Sequence, residues 1–133
     1  MSSSNLTKIQ EIWNRAGVLT NVYAAIFNSD PEFITALSFD LSSTSMTLQV
    51  ESCYDEVIVN GHPLVLEKDE TVIDVSHKSP WKNALGQRMR WVWLLTNQQG
   101  YEDGIRIEFT NPDEKTQITT CLIVCASRIC IIN

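Results

Sequence analysis

Read for the spacing of its apolar positions, the chain opens with a helical period and then changes to a strand period. Leu6, Ile9, Trp13 and Ala16 fall on one face of a helix, and Ile12 widens that stripe. Asn5 stands where an N-cap belongs, and Gly17 offers a left-handed stop just beyond Arg15, whose charge suits the helix C-terminus. From Val18 onward the apolar positions recur every second residue. Phe33, Leu37, Phe39 and Leu41 oppose Ile34, Ala36, Ser38 and Asp40, and Met46, Leu48 and Val50 oppose Thr47, Gln49 and Glu51. The polar run at 42–45 makes these two stretches a hairpin. Further strands are expected at 18–28, 56–60, 72–75, 88–96, 104–110, 117–126 and 129–132, with one helical turn within 79–86, where Pro80 opens it and Gly86 closes it. The last hairpin is apolar on both faces, which suits a covered position in a sheet.

The expected architecture is therefore α+β and mainly antiparallel β: one meandering or partly rolled sheet of six to eight strands with a single N-terminal helix packed on it. A length of 133 residues allows one substantial core, so a single domain over 1–133 is expected. The hydrophobic fraction of 44% against 20% charged residues lies in the globular range. A formal charge of −6 argues against attraction to nucleic-acid backbones or anionic membrane surfaces. No basic stretch followed by an apolar block resembles a secretory signal, and no apolar run could cross a bilayer, so the expected compartment is the cytoplasm. In that compartment Cys53, Cys121, Cys125 and Cys130 are expected as thiols, the last three as small core residues, although a Cys125–Cys130 bridge across the hairpin is an alternative.

Charge is distributed unevenly along the chain. Glu51, Asp55, Glu56, Glu67, Asp69, Glu70 and Asp74 are opposed only by Lys68, and Lys78, Lys82, Arg88 and Arg90 then follow without an acid. These are either solvated loops with loose ion pairs or patches that attract a partner of opposite charge. Strict alternation places Trp91 and Trp93 on one face with Met89 and Leu95, and Arg88 and Arg90 on the other. Two large rings on one face are expected to fill the core; the competing reading is an aromatic cleft with Trp81 as a third wall. Tyr101, Glu102 and Asp103 could meet a ligand, but Asn97, Gly100, Asp103 and Gly104 are equally what a hairpin loop requires. His62, His77 and Cys53 show no sign of convergence into a nucleophilic pair, and the Cys121, Cys125 and Cys130 spacings do not match a zinc knuckle. No phosphate loop, nucleophile elbow or metalloprotease helix occurs, so no cofactor is expected.

The segment from Gly86 to Gly104 joins a Trp-Val-Trp strand, Asn97 and the turn Gly100-Tyr101-Glu102-Asp103-Gly104, with Asp55-Glu56 upstream. In these features the chain resembles a small family of uncharacterised bacterial proteins, which implies a free-standing small bacterial domain and no particular activity. Three functional readings result. The first is a non-catalytic protein-binding domain, in the style of toxin-neutralising immunity proteins, whose Asp55, Glu56, Glu67, Asp69 and Glu70 face a basic partner. The second is a small-molecule binder or enzyme with a pocket among Trp91, Trp93, Tyr101 and Asp103. The third is a homodimer formed through the C-terminal hairpin.

Overall fold

In the computed structural model, which describes residues 4–51, 53–111 and 117–132, the chain forms one α-helix and nine strands. They are α1 (Ser4–Arg15), β1 (Leu19–Phe27), β2 (Asp30–Leu41), β3 (Thr44–Glu51), β4 (Glu56–Asn60), β5 (Glu70–Asp74), β6 (Arg88–Thr96), β7 (Glu102–Thr110), β8 (Gln117–Cys125) and β9 (Arg128–Ile132). The α+β class with an N-terminal helix is as the periodicity implies. The strands nevertheless divide into two antiparallel sheets, ordered β4-β3-β2-β1-β5 and β6-β7-β8-β9, instead of rolling as one. One apolar cluster between them unites Leu19, Leu37, Phe39, Leu48 and Val59 of the first sheet with Ile105, Ile107, Phe109 and Leu122 of the second.

The two sheets part after β5, where the chain turns through the cis Ser79-Pro80 bond into a short 3-10 turn, Trp81–Asn83. Trp81 is only 1% exposed and meets Phe39 edge to face, 5.1 Å between ring centroids, so it is a core residue and no wall of an aromatic cleft. The sheets stay joined at one corner. Gly86 N donates to Leu19 O and Leu19 N to Gln87 O, each at 2.8 Å, which lets the start of β6 continue the ladder on β1.

Strand order explains an unusual outer face on the first sheet. Because β4 and β5 lie on opposite edges, residues 61–69 must cross the three strands between them. The floor beneath this strap is made of small or hydroxylated residues, Ala25, Ala36, Ser38 and Thr47, all buried. Thr47 Oγ1 donates to His62 O at 2.6 Å and lies 3.2 Å from Ser38 Oγ, so the buried hydroxyls are satisfied by each other and by the strap backbone.

The helix buries Ile9 and Ile12 and leaves Leu6 and Trp13 at the surface, a narrower buried stripe than the spacing suggests. It fills the flank between edge strands β4 and β6. Asn5 lies within the helix and is not its N-cap; its amide acts as an extra rung on β4, donating to Val57 O at 2.8 Å and accepting from Val59 N at 2.9 Å. Covering an exposed strand edge in this way removes a template for aggregation.

Among several register shifts, the β-bulges at Thr35 and Arg90 change which residues face the core. Along β2, Ala25 pairs with Ala36 but Ile26 pairs with Ile34, so Thr35 is an extra residue. Ile34 consequently joins the core in place of Phe33, whose ring packs on Phe27 at 4.9 Å. Along β6, Met89 pairs with Phe109 but Trp91 with Glu108, which makes Arg90 the extra residue. Met89 is thus buried, whereas Trp91 and Trp93 are 50% and 41% exposed on the opposite face, against the expectation that they fill the core. The two environments predict different costs of truncation. Trp81→Ala is expected to lose about 3–5 kcal/mol of stability and Trp91→Ala about 1 kcal/mol or less, as read from urea unfolding midpoints.

Candidate functional site

The Arg90 bulge builds the most distinctive surface of the molecule. The Arg90 guanidinium lies 5.6 Å from the Trp91 ring centroid, and Arg106, the cross-strand partner of Trp93, lies 5.0 Å from that ring. Each arrangement is a cation–π contact that keeps a long side chain flat against an aromatic face. Arg90 Nε also stands 3.9 Å from Glu108 Oε2, an ion pair too long for a hydrogen bond. Trp13 approaches from α1 and donates its indole Nε1 to Arg90 O at 3.0 Å. Between helix and strand runs a cleft of about 160 Å³ lined by Leu6, Ile9, Gln10 and Trp13 of α1 and Arg90, Trp91 and Val92 of β6. Leu6 is 49% exposed and Trp13 40%, so three of the four tryptophans open to water on one continuous surface. A contiguous apolar patch of this kind is informative in a way that a single exposed leucine is not.

That surface extends over the outer face of the second sheet. Trp93, Arg106, Cys121 and Ile132 form one row across the four strands, and Leu95, Gly104, Ile123 and Cys130 form the next. The C-terminal hairpin is therefore covered on one side only. Cys121, Cys125 and Cys130 lie on the open side and not in the core, and Cys125 is bonded to Cys130 with Cα atoms 6.8 Å apart. This replaces the expectation of free thiols at those two positions; Cys53 and Cys121 are free.

The four residues expected to share a pocket occupy separate settings. Trp91 and Trp93 belong to the surface just described, while Tyr101 packs on Tyr54 at 5.6 Å between centroids. Asp103 is a bulge residue between the pairs Leu95–Gly104 and Thr96–Glu102, and its carboxylate accepts from Asn97 Nδ2 at 3.2 Å. Asn97 Oδ1 in turn accepts from the backbone N–H groups of Gln99 and Tyr101, and Gly100 takes a φ of +86°. The loop's polar groups thus serve its own turn.

The acidic residues behave in two ways. Asp55, at a φ of +51°, accepts from Ser127 N at 2.9 Å, and Glu56 accepts from Glu102 N at 3.0 Å. These carboxylates clamp the β3–β4 turn to the loops of the second sheet, so the Asp-Glu pair and the Gly-Tyr-Glu-Asp-Gly turn of the sequence resemblance meet in space. At the end of the strap Glu70 accepts from Glu67 N at 2.8 Å and from Thr35 Oγ1, while Glu67 and Asp69 are exposed. A groove of about 320 Å³ lined by Phe27, Phe33, Gln49, Glu67, Glu70 and Ser127 connects the two acidic sets, which therefore rim one end of the molecule. The signal that sequence reading missed was backbone demand: each turn has orphan N–H groups, and a nearby carboxylate answers them.

No group of three metal-ligating side chains gathers among the described residues. Cys53 precedes β4 and His62 follows it, so the strand separates them. The Glu51 carboxylate beside Cys53 pushes its thiol above the ordinary value, first through charge and then through a hydrogen bond, which disfavours the nucleophilic thiolate.

Fold and surface together define a small two-sheet β protein that presents an arginine-flanked tryptophan face. The chain belongs to a family of unknown function, DUF6334, whose model matches residues 7–133. This agrees with the resemblance to an uncharacterised family and adds no activity. No curated protein and no solved structure matches the chain.

The cysteine chemistry is testable by alkylation. At neutral pH Cys53 is expected to react with iodoacetamide more slowly than free cysteine despite its exposure, and Glu51→Gln to quicken it by removing the charge that holds the proton. Equal rates before and after that substitution, followed by peptide mass spectrometry, would contradict the account.

Proposed function

We propose that the protein is a non-catalytic protein-binding domain of the bacterial cytosol, anchored to its partner through Leu6, Trp13, Trp91 and Trp93. The supporting observation is the gathering of three exposed tryptophans on one surface, with Arg90 and Arg106 already laid against two of them. Tryptophan and arginine are the residues that most often dominate binding energy at interfaces. Stacking restricts the arginines before any partner arrives, which lowers the ordering cost of association. The formal charge of −6, with exposed Glu67 and Asp69, would speed encounter with a basic partner without supplying the anchor. Asp55 and Glu56 contribute to that field from engaged positions.

A second reading has its own support in the cleft between Trp13 and Trp91, whose parallel with aromatic-walled ligand sites favours a flat small molecule. The two readings separate by competition: a compound that occupies the cleft would displace a protein partner only if the partner uses the same walls.

The test is affinity capture from the native host with wild-type protein and with a Trp91→Ala, Trp93→Ala variant, followed by binding kinetics on the captured protein. A stoichiometric partner is expected whose affinity falls by about 30-fold or more in the variant, as for anchor residues. Glu67→Gln with Asp69→Asn is expected to slow association and flatten its salt dependence while leaving dissociation nearly unchanged. A partner that binds the tryptophan variant as tightly as wild type would overturn the reading.

A further inference from the structure

The first sheet faces the second across two open flanks, and α1 occupies only the one beside β4 and β6. On the other, between edge strands β5 and β9, lies a cavity of about 180 Å³. Its base is formed by Leu37 and Trp81, both buried, its walls by Ile34, Ile73 and Ile131, and its mouth by exposed Lys78.

The hollow has a local cause. Along β1 the inward positions read Val22, Ala24 and Ile26, so a methyl group stands where its neighbours carry branched chains. Ala24 pairs with Leu37 on one side and Ile73 on the other, which places the missing volume where the cavity opens. A dry apolar cavity forfeits the dispersion contacts its lining would otherwise make. By volume the hollow has room for a ligand about the size of benzene.

We propose that this flank binds a small amphiphile with a short hydrocarbon tail and a singly charged carboxylate head. Apart from Lys78, the lining offers only the Ser79 hydroxyl and the Trp81 indole as hydrogen-bonding side chains, too few to replace the hydration of a sugar or nucleobase. Hydrocarbon gains instead, at the usual rate for apolar area removed from water. Lys78 sets the head group. It has no ion pair among the described residues, and its backbone is fixed by Lys78 N to Val75 O and Lys82 N to Lys78 O, both 3.0 Å. One ammonium presents a single point charge, which balances a carboxylate and leaves a dianionic head with one charge unpaired. This site is separate from the tryptophan face and stands or falls independently of the proposed protein partner.

The experiment titrates the full chain, with isoleucine methyls labelled, with hexanoate, hexanol and hexylamine, and follows the methyl resonances. Hexanoate is expected to shift Ile34, Ile73 and Ile131 saturably while leaving Ile9 and Ile12 of α1 in place, and to bind about tenfold more tightly than hexylamine. Lys78→Gln, an exposed substitution that leaves the core intact, is expected to bring hexanoate down to the affinity of hexanol. Ala24→Leu fills the hollow and is expected to abolish the shifts; Ala24→Val does so partly if the larger side chain prevents folding. Absent or unsaturable shifts, equal binding of hexylamine, an unchanged affinity in Lys78→Gln, or shifts confined to Ile9 beside the tryptophan cleft would each overturn the proposal.

Discussion

Two stacked sheets bury one face each and leave two flanks through which their shared interior meets solvent, and the described residues supply a single α-helix to close them. That constraint governs where its apolar side chains end up. Helix α1 packs along β4 and β6, burying Ile9 and Ile12 and matching the edge of β4 with the amide of Asn5. An isolated helix of this length would be marginal in water, so the flank stabilises the helix as much as the helix seals the flank. The flank beside β5 and β9 receives only the turn that carries Trp81, and with Ala24 beneath it the interior remains incompletely filled there. On the outer side of the first sheet the strap at 61–69 covers what would otherwise be open strand, which is why Ala25, Ala36 and Ser38 are small.

Much of this was legible in the residues, and what was not has an identifiable cause. The helix, the strand runs and the β2–β3 hairpin follow from apolar spacing, because burial of one face imposes the same period on sequence and structure. The bulges do not, since one extra residue reverses the facing of everything beyond it. A trace of each was present. Strict alternation along 88–95 puts Arg88 and Arg90 on one face with Val92 and Leu94, and Met89 on the other with two tryptophans, leaving both faces mixed. An extra residue at Arg90 resolves the conflict by collecting Met89, Val92 and Leu94 on the inner face. The same reasoning at Thr35 exchanges Phe33 for Ile34.

Charge was legible as a total and illegible as a location. Seven acids between Glu51 and Asp74 read as one patch, yet their carboxylates are divided between solvent and the protein's own turns. Glu51 receives the N–H groups of Cys53 and Tyr54, Asp55 that of Ser127, Glu56 that of Glu102 and Glu70 that of Glu67. A carboxylate bonded to backbone N–H groups still contributes to the long-range field but has fewer lone pairs to offer a partner. Sequence shows the charge; only the path of the chain shows which N–H groups lie within its reach. Glu67, Asp69 and Asp74 are the exposed acids of the seven; Asp74 also accepts from Ser76 N, whereas Glu67 and Asp69 lie at the end of a strap whose course depends on strand order.

The tryptophan face illustrates how these effects combine. The bulge at Arg90 turns Trp91 and Trp93 outward, and the carbonyl of the bulged residue itself accepts the indole N–H of Trp13. One inserted residue therefore reverses the strand and supplies the acceptor that fixes the helix side chain opposite it. The same residue sends its guanidinium over Trp91, so wall, rim and tether of the cleft all originate at one position. Turning the two indoles inward would remove more of their own area from water, but strict alternation would then expose Val92 and Leu94. The inner face instead takes Met89, Val92 and Leu94, which fit between the sheets, and the large rings are left on the face that no other sheet of the described residues covers. The rings are thus left half in water, but two of them are covered on one face by Arg90 and Arg106 and the third is tethered through its indole N–H, so each is held by a polar contact where burial is incomplete.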